Sequence, residues 1–155
     1  MKLPVVIPSL AAVKYWVETP LGETDWVPVE QVRIDRFAEA TDDRQWIHVD
    51  VERARRESLW KQTIAHGYLT LSMIPELLAR LVFIVGVKTA INTGIDKLRF
   101  SAPVLSGSRV RLKATIKDAR EMPGALRISF AVRVEVEGGS KPALLANVNY
   151  LYYPV

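Results

Sequence analysis

The chain contains no cysteine. Disulfides, thiolate nucleophiles and thiolate-ligated zinc are therefore excluded together. Histidine is nearly as scarce, with only His48 and His66 among 155 residues. Their spacing to the scattered aspartates matches no metal motif, so no metal is expected. Long apolar runs are also missing. The N-terminal stretch MKLPVVIPSLAAVKYW has the outline of a signal peptide, but two prolines interrupt it and its apolar part is short for an h-region or a membrane span. The expectation is a cytoplasmic protein without membrane association. No repeat, low-complexity tract or linker appears, so residues 1–155 are expected to form one domain large enough to bury a core. A hydrophobic content of 49% with 25% charge excludes disorder.

Acidic residues are sparse in one region. Between Lys97 and Arg120 there are seven cations (Lys97, Arg99, Arg109, Arg111, Lys113, Lys117 and Arg120) against the single anion Asp118. Two readings stay open: a solvated sheet face, or attraction of an anionic ligand such as a phosphate-bearing group. Nucleic acid is disfavoured, because no aromatic residue interleaves with the cations to form a stacking platform.

What is present falls into two halves. In RVRLKATIK, Val110, Leu112, Ala114 and Ile116 alternate with polar residues; in LRISFAVRVEVE, apolar residues recur at every second position from Leu126 to Val136. This period of two predicts long strands with one dry face. MPGA and EGGSKP supply turns. TAINTGIDKLRF reads as an earlier strand, and residues 144–153 as the last. The first half is helical. Ile34, Phe37, Ala38 and Thr41 share one helical face, and Asp50 reads as the N-cap of a short helix. Residues 68–84 are apolar nearly all round, which predicts a buried helix, kinked or restarted at Pro75. A buried helix with a curved antiparallel sheet is an α+β layout.

Between the helices lies ATDDRQWIHVD, residues 40–50. Asp43 and His48 are five residues apart in an irregular segment that can aim both into one pocket. A carboxylate and an imidazole that reach one water make a general acid/base pair. On spacing alone, a capping or solvated turn is the default reading and a catalytic pair its rival.

FAEATDDRQWIHVDVERA resembles the hydratase signature of the MaoC-like (R)-specific enoyl-CoA hydratases, in which an aromatic residue, a small residue, Ser/Thr, Gly, Asp, Asn, Pro, an aliphatic residue and His follow in order. Phe37, Thr41, Asp43, Ile47, His48 and Ala54 match, whereas Asp42, Gln45 and Trp46 replace the family's Gly, Asn and Pro. IAHGYLTLS resembles the His-Gly opening of the family's central helix, and DKLRFSAPVLSGSRVRL its Arg-Phe-x-x-Pro-Val strand entry. The combination is most similar to the nodulation-protein-N-like branch.

The resemblance implies a hotdog fold, with a curved antiparallel sheet wrapped around one long central helix, paired as a homodimer. It implies reversible hydration of a trans-2-enoyl thioester, carried by CoA or by acyl-carrier protein, with no further cofactor. Asp43 and His48 are then the catalytic pair, and the Gly67 N–H stabilises the thioester oxyanion. Candidate substrate contacts are Gln45, Ser72, Asn92, Lys97 and Arg99. Ser72 enters because the family's helix serine corresponds to Pro75 here. His66 is expected to be structural. The rival readings are a thioesterase of the same fold and a non-catalytic acyl-binding or partner subunit.

Overall fold

The computed structural model describes residues 2–155; Met1, part of the domain expected over 1–155, lies outside the described residues. Strand β1 (Val5–Ile7) leads into a 3₁₀ helix (Leu10–Trp16) capped by Ser9, whose hydroxyl accepts the Ala12 N–H. Strands β2 (Pro20–Glu23) and β3 (Val27–Val29) precede helices α1 (Gln31–Thr41), α2 (Trp46–Val49), α3 (Val51–Glu57) and α4 (Gly67–Leu81). Strands β4 (Val82–Ile84), β5 (Val87–Phe100), β6 (Ser108–Met122), β7 (Ala125–Val136) and β8 (Leu144–Pro154) complete the chain.

The main sheet is antiparallel in the order β2-β6-β7-β8-β5, with β3 also paired to β6. β1 and β4 form a separate parallel pair. The alternation read from the sequence is realised: Val110, Leu112, Ala114 and Ile116 of β6 and Ile128, Phe130, Val132 and Val134 of β7 are buried. Side chains that alternate across a pleat present one face to the core. The core side of β6 meets α4, which buries Leu69, Thr70, Met73, Ile74, Leu77, Leu78 and Leu81. Gly124 takes a positive φ of 72° in the β6–β7 turn, a conformation a side chain would strain.

Two features differ from the sequence reading. α4 runs through Pro75 as one helix, so Pro75 does not restart it, and it is buried along one stripe only. Tyr68, Ser72, Pro75, Glu76, Ala79 and Arg80 face outward. β5, by contrast, is exposed along almost its whole length. The basic stretch is resolved in favour of the solvated sheet face over most of its length. Arg109 pairs with Glu137, Arg120 with Asp118, and Arg111 and Lys113 each reach both Glu23 and Glu135. Glu23 and Glu135 come from β2 and β7, and Glu137 directly follows β7, all out of sight of a local charge count. Burial raises the Glu135 carboxyl, but hydrogen bonds from Arg111 and Lys113 outweigh it and pull it down to about 2.

Candidate active site

The site is assembled from the end of α1, the single turn of α2 and the start of α4. α1 closes with Thr41, whose hydroxyl donates to the Phe37 carbonyl at 2.7 Å, and with Asp42 in the left-handed region at φ 61°. That conformation explains the glycine of the resembled motif, and Asp is among the few residues that tolerate it. Trp46 occupies the first position of α2, where a proline would fit equally well. Both replacements therefore suit the backbone positions they occupy. Asp50 caps α3, accepting the Arg53 N–H at 2.9 Å, as the sequence predicts.

His48 is buried, 7% exposed. Its Nδ1 donates to the Ile64 carbonyl at 2.7 Å, which assigns the proton to Nδ1 and leaves Nε2 as the basic nitrogen. Burial is the chief influence on its pKa and lowers it; the Ile64 bond opposes this, nearby His66 adds to it, and Asp43 opposes it, with a net lowering from 6.5. The segment that supplies Ile64 is tied back through its N–H to the Ile47 carbonyl at 3.0 Å. Gln31, at the start of α1, braces both sides of this junction. Its amide donates to the His48 carbonyl at 2.7 Å, and its amide oxygen accepts the hydroxyl of buried Thr63. Sequence reasoning missed Gln31 and Thr63, since one glutamine 17 residues before His48 carries no local signal.

Asp43 is about half exposed, its side chain at 55%. A carboxylate oxygen of Asp43 and ring nitrogens of His48 and His66 lie within 4.8 Å of one another. That is close enough for a metal ion, but the ring arrangement does not fit one. The two imidazoles stack at 3.8 Å with 24° between planes, and each spends one nitrogen on a carbonyl. In-plane lone pairs on nearly parallel rings run side by side, whereas a metal needs them to converge.

Asp43, His48, His66 and Gly67 line one cavity of about 520 Å³, walled further by Tyr68, Phe100 and residues 101–104. Gly67 is the first residue of α4, and the first N–H groups of a helix have no partner within it. A Cβ on Gly67 would stand 2.9 Å from the Phe100 ring, so glycine also permits that close packing. The remaining sequence candidates lie elsewhere. Ser72 and Asn92 line a second cavity of about 360 Å³ between α4, β5 and β8, and the Ser72 hydroxyl donates to the Tyr68 carbonyl at 2.7 Å. Gln45 is exposed and accepts the His48 N–H through its carbonyl at 2.9 Å. Lys97 and Arg99 are exposed on β5 at a register irregularity, Lys97 with φ 54°.

Comparison with known proteins points the same way. The profile of the family described as "MaoC like domain" matches residues 13–138. The chain is 44% identical over 127 residues to 3-hydroxyacyl-thioester dehydratase Z of Mycobacterium tuberculosis, covering 81% of this chain and 83% of that one. It is 40% identical over 141 residues to Nodulation protein N of Rhizobium leguminosarum bv. viciae, covering 90% and 88%. The unliganded R-hydratase PhaJ1 from Pseudomonas aeruginosa superimposes with a TM-score of 0.75 at 24% identity, over 96% of this chain and 87% of that one. The fold is thus the hotdog fold of MaoC-like hydratases.

Proposed function

The chain belongs to the family of MaoC-like dehydratases, enzymes of the hydro-lyase class, and from that membership we propose that it hydrates trans-2-enoyl thioesters reversibly to (R)-3-hydroxyacyl thioesters. The observation that carries this reading is the placement of the Asp43 carboxylate and the His48 imidazole within 4.8 Å of each other, in a cavity that also holds the start of α4. Two hydrogen bonds of about 2.8 Å to one water oxygen put their outer atoms roughly 4.4–4.8 Å apart at a near-tetrahedral angle. A separation within that limit supports one water held between the two groups.

His48 Nε2 takes a proton from that water as its oxygen bonds to C3 of the enoyl chain. The C2–C3 π electrons move toward C2 and the thioester carbonyl, and a proton from the pair is delivered to C2. Asp43 orients the water and shares the proton. Both groups lie on one side of the cavity, which favours delivery of H and OH to the same face. The charge that develops on the carbonyl oxygen is met by the Gly67 N–H and the positive end of α4, an arrangement worth about 10²–10³ in rate per donor. The reverse reaction removes the C2 proton and expels the C3 hydroxyl as water. Lys97 and Arg99 are proposed to contact phosphates of the CoA or acyl-carrier-protein moiety, and a second copy of the chain to pair along β5. The chain needs no cofactor beyond the thioester carrier in this scheme.

Incubation with crotonyl-CoA tests the reading. The enoyl absorbance is expected to fall with the thioester intact and (R)-3-hydroxybutyryl-CoA as product. Release of free thiol would instead identify a thioesterase. No change with any enoyl chain length, on CoA or on acyl-carrier protein, would leave a non-catalytic acyl-binding role.

A further inference from the structure

His66 has no part in the proton transfers above, yet it contacts both Asp43 and His48 and directly precedes Gly67. It is 3% exposed. Its Nε2 donates to the main-chain carbonyl of Asp43 at 2.9 Å, across 23 residues of chain, and stands 4.0 Å from the Asp43 carboxylate. One face of its ring stacks on His48 at 3.8 Å, and Phe37 of α1 lies 4.9 Å away, tilted by 56°. Its own main chain begins α4: His66 precedes Gly67, and its carbonyl accepts the N–H groups of Leu69 and Thr70.

The cost of this placement is visible in the same ring. Nδ1 is buried and has no hydrogen-bond partner. A buried polar atom left unpaired is unfavourable, and an apolar side chain of similar size would pack there without it. Packing alone therefore does not account for an imidazole. The Nε2–H, aimed at a loop carbonyl, does.

We propose that His66 is the positioning residue of the catalytic pair, its edge fixing the Asp43 main chain and its face backing the His48 imidazole, so that one side chain sets the separation of the two groups and their place relative to the Gly67 N–H. This rests on the hydratase reading. A loop carbonyl has few ways to be held, because Asp43 follows the left-handed Asp42 and its side chain is needed free in the cavity. The His66 donor restrains the residue through its backbone and leaves the carboxylate unencumbered.

Two substitutions separate the edge from the face. His66→Phe keeps a ring against His48 but removes the donor; His66→Gln keeps an N–H for the Asp43 carbonyl but removes the ring. Both are expected to lower kcat for crotonyl-CoA hydration by roughly 10- to 100-fold with KM within about threefold, since misplacement by about 1 Å costs on that scale without weakening substrate binding. Amide exchange gives a readout independent of activity. In His66→Phe the Arg44 and His48 amides, which hydrogen-bond within the loop, should exchange faster than in the parent, whereas in His66→Gln they should stay protected. A kcat unchanged in His66→Phe, or a loss in both variants that only tracks the unfolded fraction in thermal melts, would overturn the proposal. So would equal loop protection in parent and His66→Phe. A parent protein inert toward every enoyl thioester would instead defeat the hydratase reading, and the exchange comparison would still decide whether His66 holds the loop.

Discussion

Asp43 and His48 are placed in contrasting surroundings: the carboxylate is half exposed, whereas the imidazole is buried at the cavity wall with Nδ1 held by the Ile64 carbonyl. Burial lowers the His48 pKa from 6.5, with the Ile64 hydrogen bond opposing, His66 reinforcing and Asp43 opposing. Nε2 therefore stays a free base into mildly acidic solution. The acid limb of the kcat/KM profile is expected below pH 6.5, and a limb at or above that value would contradict the assignment. The same shift has a consequence for stability. The unfolded chain binds a proton on His48 below about pH 6.5 that the native state accepts only at lower pH. Stability should then fall as pH drops through that interval, which melts at successive pH values would report. Asp43→Asn and His48→Ala are each expected to lower kcat/KM by about 10²–10⁴, and the double variant little further than the worse single one, because the two are proposed to act on one water. At this scale the sequence singles out the pair proposed for the chemistry and is silent about what holds it. Asp43 and His48 sit in a recognisable local pattern. Gln31, Thr63 and the Ile64 carbonyl act through contacts across 16 to 32 residues that no local pattern encodes.

Among the elements, legibility followed the symmetry of the environment. β6 and β7 have one dry and one wet face, so their alternation could be read directly. The outer face of α4 is exposed where the nearly all-round apolar sequence predicts burial, and β5 is exposed although apolar in places. The loop after α1 shows how a residue departure can leave an element unchanged. Asp42 takes the left-handed cap at φ 61° and pairs with Arg44 at 2.5 Å on the exposed surface, a contact worth little. Asp42→Gly is expected to raise stability by about 0.5–1 kcal/mol, because glycine adopts this conformation without the Cβ penalty. Asp42→Val should lower it by more, since a β-branched side chain is strained there. Chemical denaturation of both variants checks the sign of each, and kcat for Asp42→Gly should match the parent if the cap serves only the backbone.

For the whole molecule, the sheet has two unlike edges. β2 and β3 end one side as short strands, which limits further pairing. β5 ends the other side with 14 residues, paired among the described residues only to β8, and Ile91, Ile95 and Phe100 are exposed on it. A free edge of that length spans about 46 Å and is a template for another strand. β5 adjoins the open face of α4: Pro75, Ala79, Phe83, Val87, Ala90 and Asn92 border one shared cavity. Antiparallel pairing of β5 with its counterpart in a second copy satisfies both features at once. It is self-complementary about a two-fold axis, as a closed dimer requires. Phe100 both packs against Gly67 and ends β5, so such a dimer edge would extend to the wall of the active-site cavity. The parent protein is accordingly expected to sediment at twice its 17.4 kDa chain mass. Replacing both Ile91 and Ile95 with Lys should shift it to monomer, because facing lysines repel and are costly to desolvate at a closed edge. A monomeric parent would refute the pairing outright. A dimer that survives both lysines would place the interface on another surface and leave β5 uncovered.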